Sequence, residues 1–313
     1  MKILPHNIYR YIWQVSARDQ IWLSLLSVIT FLLTMAPLEL QRRIVNDVLH
    51  DKDVEKLVMM ALAYAGIALF MGAVKRSLNI YAGRVSEHAT LTLRHFVHTR
   101  ARTIAHEANR PRFDGIETAI VLAEVEPVGG FVGISISQPL LQGGILISVF
   151  SYMVYLQPWM ALVAFVLFSP QLVFVPVMQR MINEAARTRI HVMRDVGTGI
   201  VNSGDGPPKV EDGFAQRVTS VFRLNMRIFR LKFTMNFLMN ALYHLGIAGT
   251  LLIGGWYVIN GETEVGTVVA FISGLAQIND PWGDLVNYFR EVTTAQVKYR
   301  LIASATEIQP ASS

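Results

Sequence analysis

The sequence predicts an all-α membrane protein with six transmembrane helices and two long cytoplasmic helical hairpins. Of its 313 residues, 52% are hydrophobic and only 16% are charged, whereas an average soluble domain is about one-quarter charged. Several uncharged stretches are long enough to cross a bilayer, which takes roughly 20 apolar residues. The longest, residues 127–179, contains no Asp, Glu, Lys or Arg. The basic residues concentrate in two long polar segments, as in cytoplasmic loops.

Residues 1–20 predict a short helix that lies in the membrane interface before the first span. The segment is rich in apolar and aromatic residues such as Tyr9 and Trp13, and Arg10 adds positive charge. This combination is typical of an amphipathic interfacial helix. The first apolar run begins at Ile21, and no small-residue cleavage pattern closes it. We therefore expect no removed signal peptide.

Six apolar stretches account for the spans. The longest uncharged stretch is too long for one span, and it divides into two at Gln157, Pro158 and Trp159. The resulting six-span domain covers residues 21–303 and leaves a short tail at 304–313. The predicted spans are residues 21–38, 57–74, 134–156, 159–177 and about 237–259, with a sixth that begins near Val265 and runs past Pro281.

The distribution of Lys and Arg gives the orientation of the spans. The segment between spans two and three carries eight of these residues and the segment between spans four and five carries ten, whereas the connections after spans three and five carry none. Positive charge marks cytoplasmic loops, so both long segments and both termini are predicted to be cytoplasmic. Each segment is about 50 residues, well beyond an ordinary connection. We therefore expect each to form a helical hairpin that extends the spans into the cytoplasm.

Several short motifs occur in an informative order along the chain. They are Pro37-Leu38, Ile44-Val45-Asn46-Asp47, Gln157-Pro158-Trp159, Gly254-Gly255-Trp256, the turn Gly261-Glu262, the run VGTVVAF at 265–271, and Pro281. No single motif is specific, but the ordered set resembles the transmembrane domain of ABC exporters over nearly the whole chain.

The resemblance implies that two such domains pair around a central cavity that opens alternately to the two sides of the membrane. It also implies that each cytoplasmic hairpin ends in a short transverse coupling helix, seated in a groove of an ATPase domain. The positions that match these coupling helices are Gly115, Ile116, Glu117, Thr118 and Ala119 in the first hairpin, and Asp195, Val196, Gly197 and Ile200 in the second.

The sequence departs from the family pattern in the ATPase domain and at the positions where that domain would dock. It contains no Gly-Lys pair and ends at Ser313, about where the family's ATPase domain begins. A phosphate-binding loop needs that Lys, so we expect ATP and Mg²⁺ to be bound by a separate partner chain and no cofactor by this one. Ala119-Ile120 stands where the family tends to have Ser-Arg, and a Gly- and Pro-rich stretch at 204–208 interrupts the second hairpin.

Asp280 and Asp284 are the first candidates for a substrate pathway. They are one helical turn apart and share a face of the sixth span, which Tyr288 continues. Asp280 lies about 22 Å below the outer end of that span, in a hydrocarbon core about 30 Å thick. Such carboxylates either line a cavity that favours a cationic or polar substrate, or they lie at the inner headgroup level and are hydrated. Pro281 predicts a hinge in the same helix.

Histidines provide weaker candidates. His244 lies inside the fifth span, where an ionisable residue either serves the pathway or makes a hydrogen bond in packing. His88, His95 and His98 could share a helix face and bind a metal. They lie in an Arg-rich stretch with few carboxylates, so a solvated face explains them better and no metal site is predicted. The sequence contains no nucleophile–base arrangement of the kind that a hydrolase needs, so no catalytic residue is predicted.

The leading hypothesis is the permease subunit of an ABC exporter, not itself an enzyme, with its ATPase in a separate chain. It is expected to pair with itself or with a second transmembrane subunit, to contact membrane lipid and to bind no nucleic acid. A bacterial inner (plasma) membrane is the expected location. Two alternatives stay open: a motorless relative that acts as a membrane scaffold or regulator, and a proton-coupled secondary transporter that uses Asp280, Asp284 and His244.

Overall fold

The computed structural model of the chain describes residues 4–48, 53–108, 124–202 and 211–306. Within these ranges every regular element is helical, and five helical stretches are long and apolar enough to cross a membrane. At this level the prediction of an all-α, multi-pass membrane protein is confirmed. The five stretches are Ile8–Val48, Val54–Arg100, Ser137–Leu156, Pro158–Met193 and Ala215–Ile259.

The chain forms two compact units, residues 1–157 with 261–313, and residues 158–260. In chain order the described helices are α1 (Ile8–Leu33), α2 (Met35–Arg43), a π-helix (Ile44–Val48), α3 (Val54–Ala108), α4 (Val125–Ile134), α5 (Ser137–Leu156), α6 (Pro158–Phe168), α7 (Pro170–Asn202), α8 (Glu211–Ile259) and α9 (Val265–Thr306).

Single residues explain the breaks between the first helices. Ser16 leaves the helical region inside α1, so the predicted interfacial segment and the start of the predicted first span form one helix with a kink. The chain turns at Thr34, because the ring of Pro37 clashes with the carbonyl four residues earlier and ends α1 there. α2 and the π-helix then carry the chain to Val48.

α3 has 55 residues, which corresponds to about 82 Å at helical rise, and it extends far beyond the predicted second span. Its apolar membrane-length window has no residue buried within the chain. Its second half buries Ala89, Leu93 and Val97, at the spacing of one helical face. The first cytoplasmic hairpin stays a prediction, since residues 109–123, including the coupling positions 115–119, lie outside the described residues.

α4 packs closely on α3 through two glycines. A side chain at Gly129 would overlap Thr90, and a side chain at Gly133 would overlap the carbonyl of Ala82. The two glycines are one turn apart on one face of α4, which is the small-xxx-small arrangement of closely packed membrane helices. This contact holds α4 against the half of α3 that contributes to the core.

α9 is not among the five apolar stretches, because Gln277, Asn279 and Asp280 follow its apolar first half. It continues as a helix through Pro281, and the sixth span and the hinge remain predictions. One side of α9 packs into the core at three- and four-residue spacing. The buried side chains on this side include Phe271, Leu275, Ile278, Tyr288, Ala295, Tyr299 and Ile302.

The second unit contains α6, α7 and α8, and α8 packs against both of the others. The predicted fourth span is divided before Pro170, since proline is favoured at the first position of a helix. Arg189 Nη1 donates to Asn225 Oδ1 at 3.3 Å and joins α7 to α8. The coupling positions 195–200 lie in α7, but their side chains, and residues 203–210 altogether, lie outside the described part of the chain.

Candidate functional site

A polar stripe runs along the exposed side of α9 and includes both predicted carboxylates, Asp280 and Asp284. Steps of three and four residues place its members on one face of the helix. Sequence analysis missed Glu291, although its distance of seven residues from Asp284, or two helical turns, is a usable signal. We call this surface the α9 stripe; its exposed members are Asp280, Asp284, Asn287, Glu291 and Thr294.

Asp284 is bound by a buried glutamine of α5. Gln142 Nε2 donates to Asp284 Oδ2 at 2.8 Å, and the Gln142 side chain is only 7% exposed. Gln142 lies about 14 residues before the end of α5 at Leu156, which puts it about 21 Å below that end in a hydrocarbon core about 30 Å thick. Asp284 therefore lies beside the first third of α5, about two-thirds of the way from the predicted outer side of the core to its inner side. This position favours the cavity interpretation over a hydrated headgroup position.

The helix breaks between α4 and α5, and Pro139 explains why. Proline has no backbone N–H, so it cannot donate to the carbonyl of Ser135, four residues earlier. Backbone carbonyls freed inside a membrane need other partners. Three side chains from neighbouring helices donate to carbonyls at this break: Gln20 to Val132 at 2.8 Å, Ser27 to Ser137 at 3.3 Å and Tyr288 to Ser135 at 2.6 Å.

Tyr288 therefore joins α9 to the α4–α5 break. Its ring stacks on Phe131 with centroids 6.0 Å apart, and the residue is 7% exposed. Eight residues separate Tyr288 from Asp280, which corresponds to about 80° of rotation around the helix. The predicted face of Asp280, Asp284 and Tyr288 thus divides into two exposed carboxylates and one buried tyrosine that positions their helix.

Glu291 lies at the predicted cytoplasmic end of the stripe, beside a cavity of about 480 Å³ between α4 and α9. Partial burial raises the pKa of the Glu291 carboxyl, the nearby Asp284 adds to the rise and Arg290 opposes it. The cavity combines one carboxylate and one guanidinium with an aromatic and aliphatic wall, so it suits a ligand with an apolar body and a polar or charged group. Its lining residues are Pro127, Gly130, Phe131, Ile134, Arg290, Glu291, Thr294 and Ala295.

The histidine candidates lie apart from any described cluster of ligands. His244 belongs to the second unit, is exposed, and packs its ring against Tyr243 with centroids 5.2 Å apart. His88, His95 and His98 are exposed on α3. Within the described ranges, no group of three His, Cys, Asp or Glu side chains is arranged to hold a metal ion.

Comparison with known proteins assigns no family to the chain. No protein-family model matches the sequence, and no curated protein matches it at a significant level. The resemblance to ABC exporters therefore rests on the order of the sequence motifs, and the function it implies is a proposal.

Proposed function

We propose that the chain is the transmembrane subunit of an ABC-type exporter, which forms the substrate pathway by alternating access while a separate ATP-binding subunit supplies the energy. The α9 stripe is the observation that carries this proposal. Asp280 and Asp284 are exposed along a helix that packs among membrane-length helices. Ionisable groups exposed to lipid are unfavourable and usually face a water-filled pathway. Two transmembrane subunits, identical or different, would enclose the stripe between them.

The chemistry of the stripe favours a cationic substrate with an apolar body. Its described charged members are all carboxylates. The cavity beside Glu291 includes the ring of Phe131, and an aromatic face also attracts cations. Gln142 holds Asp284 in place at 2.8 Å, and Asp280 is the carboxylate of the α9 stripe nearest the predicted outer side.

The lengths of the helices support an ATP-binding subunit that docks on the cytoplasmic side of the membrane. α8 has 49 residues, about 73 Å at helical rise, and a bilayer core about 30 Å thick accommodates less than half of that length. The predicted coupling positions 115–119 and 195–200 are expected at the far ends of the two predicted cytoplasmic hairpins. ATP and Mg²⁺ would be bound by the partner subunit, and the chain would lie in a bacterial inner membrane with both termini in the cytoplasm.

The proposal predicts that an ATP-binding subunit is encoded beside this chain, and it is tested by reconstituting the full chain with that subunit. The permanent cation tetraphenylphosphonium serves as the transport probe in inside-out proteoliposomes. We expect ATP-dependent uptake of this cation, together with ATPase activity that is higher in the complex than in the ATP-binding subunit alone. Asp280→Asn is expected to lower the uptake by about tenfold, since a charge-assisted contact contributes about 1.5–3 kcal/mol.

Glu262→Gln is the matched control, because Glu262 is an exposed carboxylate in the predicted outer turn and lies outside the α9 stripe. It should leave uptake unchanged. An ATP-binding subunit that neither associates with the chain nor responds to it would contradict the exporter proposal. Uptake driven by a proton gradient without ATP would instead identify a secondary transporter, and a phenotype insensitive to Asp280→Asn and Asp284→Asn would indicate a scaffold.

A further inference from the structure

Asn46 of the π-helix binds the first turn of α9, although the two segments are far apart in the sequence. Its Oδ1 accepts the backbone N–H of Gly266 at 2.6 Å, and its Nδ2 donates to the carboxylate of Glu264. The first N–H groups of a helix have no partner within that helix. Asn46 thus caps α9 from another segment, whereas a helix is usually capped by the residue just before it.

Gly266 is required for this contact. A Cβ atom at position 266 would overlap the carbonyl oxygen of Arg42 and Oδ1 of Asn46. The backbone of α9 therefore lies directly against the end of α2 and the π-helix. Arg42 Nη1 also approaches Glu264 Oε2 at 3.7 Å, so the same two segments are joined by an ion pair beside the cap.

Glu39 joins the same region to the end of α5. Arg42 donates to its carboxylate through two nitrogens, each at 2.9 Å, and Arg43 Nε donates at 2.5 Å. These bonds lie within α2 and its end. Tyr152 of α5 donates to Glu39 Oε2 at 2.6 Å. The hydrogen bond of the tyrosine hydroxyl thus connects the Glu39 network to α5.

We propose that these contacts form a latch that holds the predicted outer ends of α2, α5 and α9 together, and that Asn46 releases the first turn of α9 when the pathway opens to the outside. This inference rests on the proposed exporter function. We call the latch the outer clasp; its members are Glu39, Arg42, Asn46, Tyr152, Glu264 and Gly266.

The bonding pattern fits a contact that breaks and forms again. The bonds of Glu39 with Arg42 and Arg43 are local and persist in any arrangement of the helices. The bonds that cross between helices are few, and the side chains that make them are partly exposed, with Arg42 at 25% and Glu264 at 65%. Water can therefore replace them when the clasp opens, at the modest net cost of ordinary hydrogen bonds. π-helical segments also occur frequently at functional sites.

The clasp is tested by a distance measurement on the full chain in nanodiscs without nucleotide. The chain has no cysteine, so Asp47→Cys and Glu262→Cys, two exposed positions beside the clasp, carry a pair of spin labels. We expect the chain with an intact clasp to give mostly short distances and a minor population of long ones. Asn46→Ala should raise the ratio of long to short distances by about fivefold, the effect of one lost hydrogen bond of ordinary strength.

Asn236→Ala is the matched control, because Asn236 is an exposed asparagine of α8 outside the clasp; it should leave the distribution unchanged. Asn46→Asp provides a second variant that keeps the acceptor for Gly266 but places two carboxylates side by side. Its distances should lengthen at neutral pH and shorten again at acidic pH, where the carboxylate pair holds a proton. A packing role alone would not give this reversal.

Unchanged distances in both Asn46→Ala and Asn46→Asp would overturn the clasp. The measurement requires neither the ATP-binding subunit nor a substrate, so it can fail while ATP-dependent uptake succeeds. In that case the exporter proposal is retained and the clasp proposal is wrong. Lengthened distances in both Asn46 variants, with the control unchanged, would support the clasp whatever the uptake assay shows.

Discussion

The hydroxyl of Tyr288 provides the sharpest test of how α9 is positioned. Tyr288→Phe removes the 2.6 Å bond to the Ser135 carbonyl and keeps the ring that stacks on Phe131. Pro139 cannot donate to that carbonyl, so the substitution removes its side-chain donor at the helix break. A buried acceptor left unpaired costs about 1–3 kcal/mol, and side-chain hydrogen bonds measured in membrane proteins reach about 1.7 kcal/mol. We expect the free energy of unfolding to fall by about 1–2 kcal/mol.

The assay is reversible unfolding of the full chain by SDS titration in mixed micelles. Tyr155→Phe is the matched control, since Tyr155 also lies at a membrane-length helix but is 83% exposed; its effect should stay within about 0.5 kcal/mol. Tyr288→Ala also removes the stacked ring and should cost about 3–5 kcal/mol. Equal effects of Tyr288→Phe and Tyr155→Phe would refute the role given to the hydroxyl.

Three further predictions concern the same unit. Gly133→Ala should destabilise the fold by about 1–3 kcal/mol because its new methyl group overlaps a backbone carbonyl of α3. Its control, Gly130→Ala, places the methyl group in open space and should be neutral or slightly stabilising. Equal effects of the two variants in unfolding titrations would contradict the close helix contact. Gln142→Leu and Asp284→Ala should be non-additive in a double-mutant cycle, since the two side chains share one hydrogen bond. Strictly additive unfolding energies would exclude that bond. The folded-state pKa of Glu291 is raised above the ordinary value of 4.5, so the folded chain binds the proton more tightly than the unfolded chain. This group's contribution to stability therefore decreases as pH rises from about 4.5 through the folded-state pKa. Glu291→Gln should make the free energy of unfolding depend less on pH over that interval, and an unchanged pH profile would refute the assignment.

Much of the helix arrangement follows from local sequence signals. The predicted break at Gln157-Pro158 agrees with the end of α5 at Leu156 and the start of α6 at Pro158, because proline suits the first position of a helix. The predicted start of the last helix at Val265 agrees with the start of α9. These boundaries depend on residues that lie next to one another, so the sequence alone carries them.

The parts that could not be predicted depend on contacts between distant segments. Helical spacing predicted that Tyr288 shares a face with Asp280 and Asp284, but such spacing defines a face only approximately. Whether Tyr288 is buried depends on where α4 packs, which the sequence does not show. Pro139 was visible, but the donor that replaces its missing N–H comes from α9. Asn46 and Gly266 both occurred in motifs that the family resemblance identified. Only the fold shows that they bind each other.

The most direct test of the central claim measures whether the α9 stripe faces water. The chain has no cysteine, so Asp280→Cys can be labelled with a charged methanethiosulfonate reagent in native membrane vesicles, with Ile147→Cys, at an apolar position of α5 that is 70% exposed, as the control. Because the reactive thiolate forms in water, we predict that position 280 reacts at least about tenfold faster than position 147. Equally slow reaction at both positions would contradict a water-filled pathway along α9.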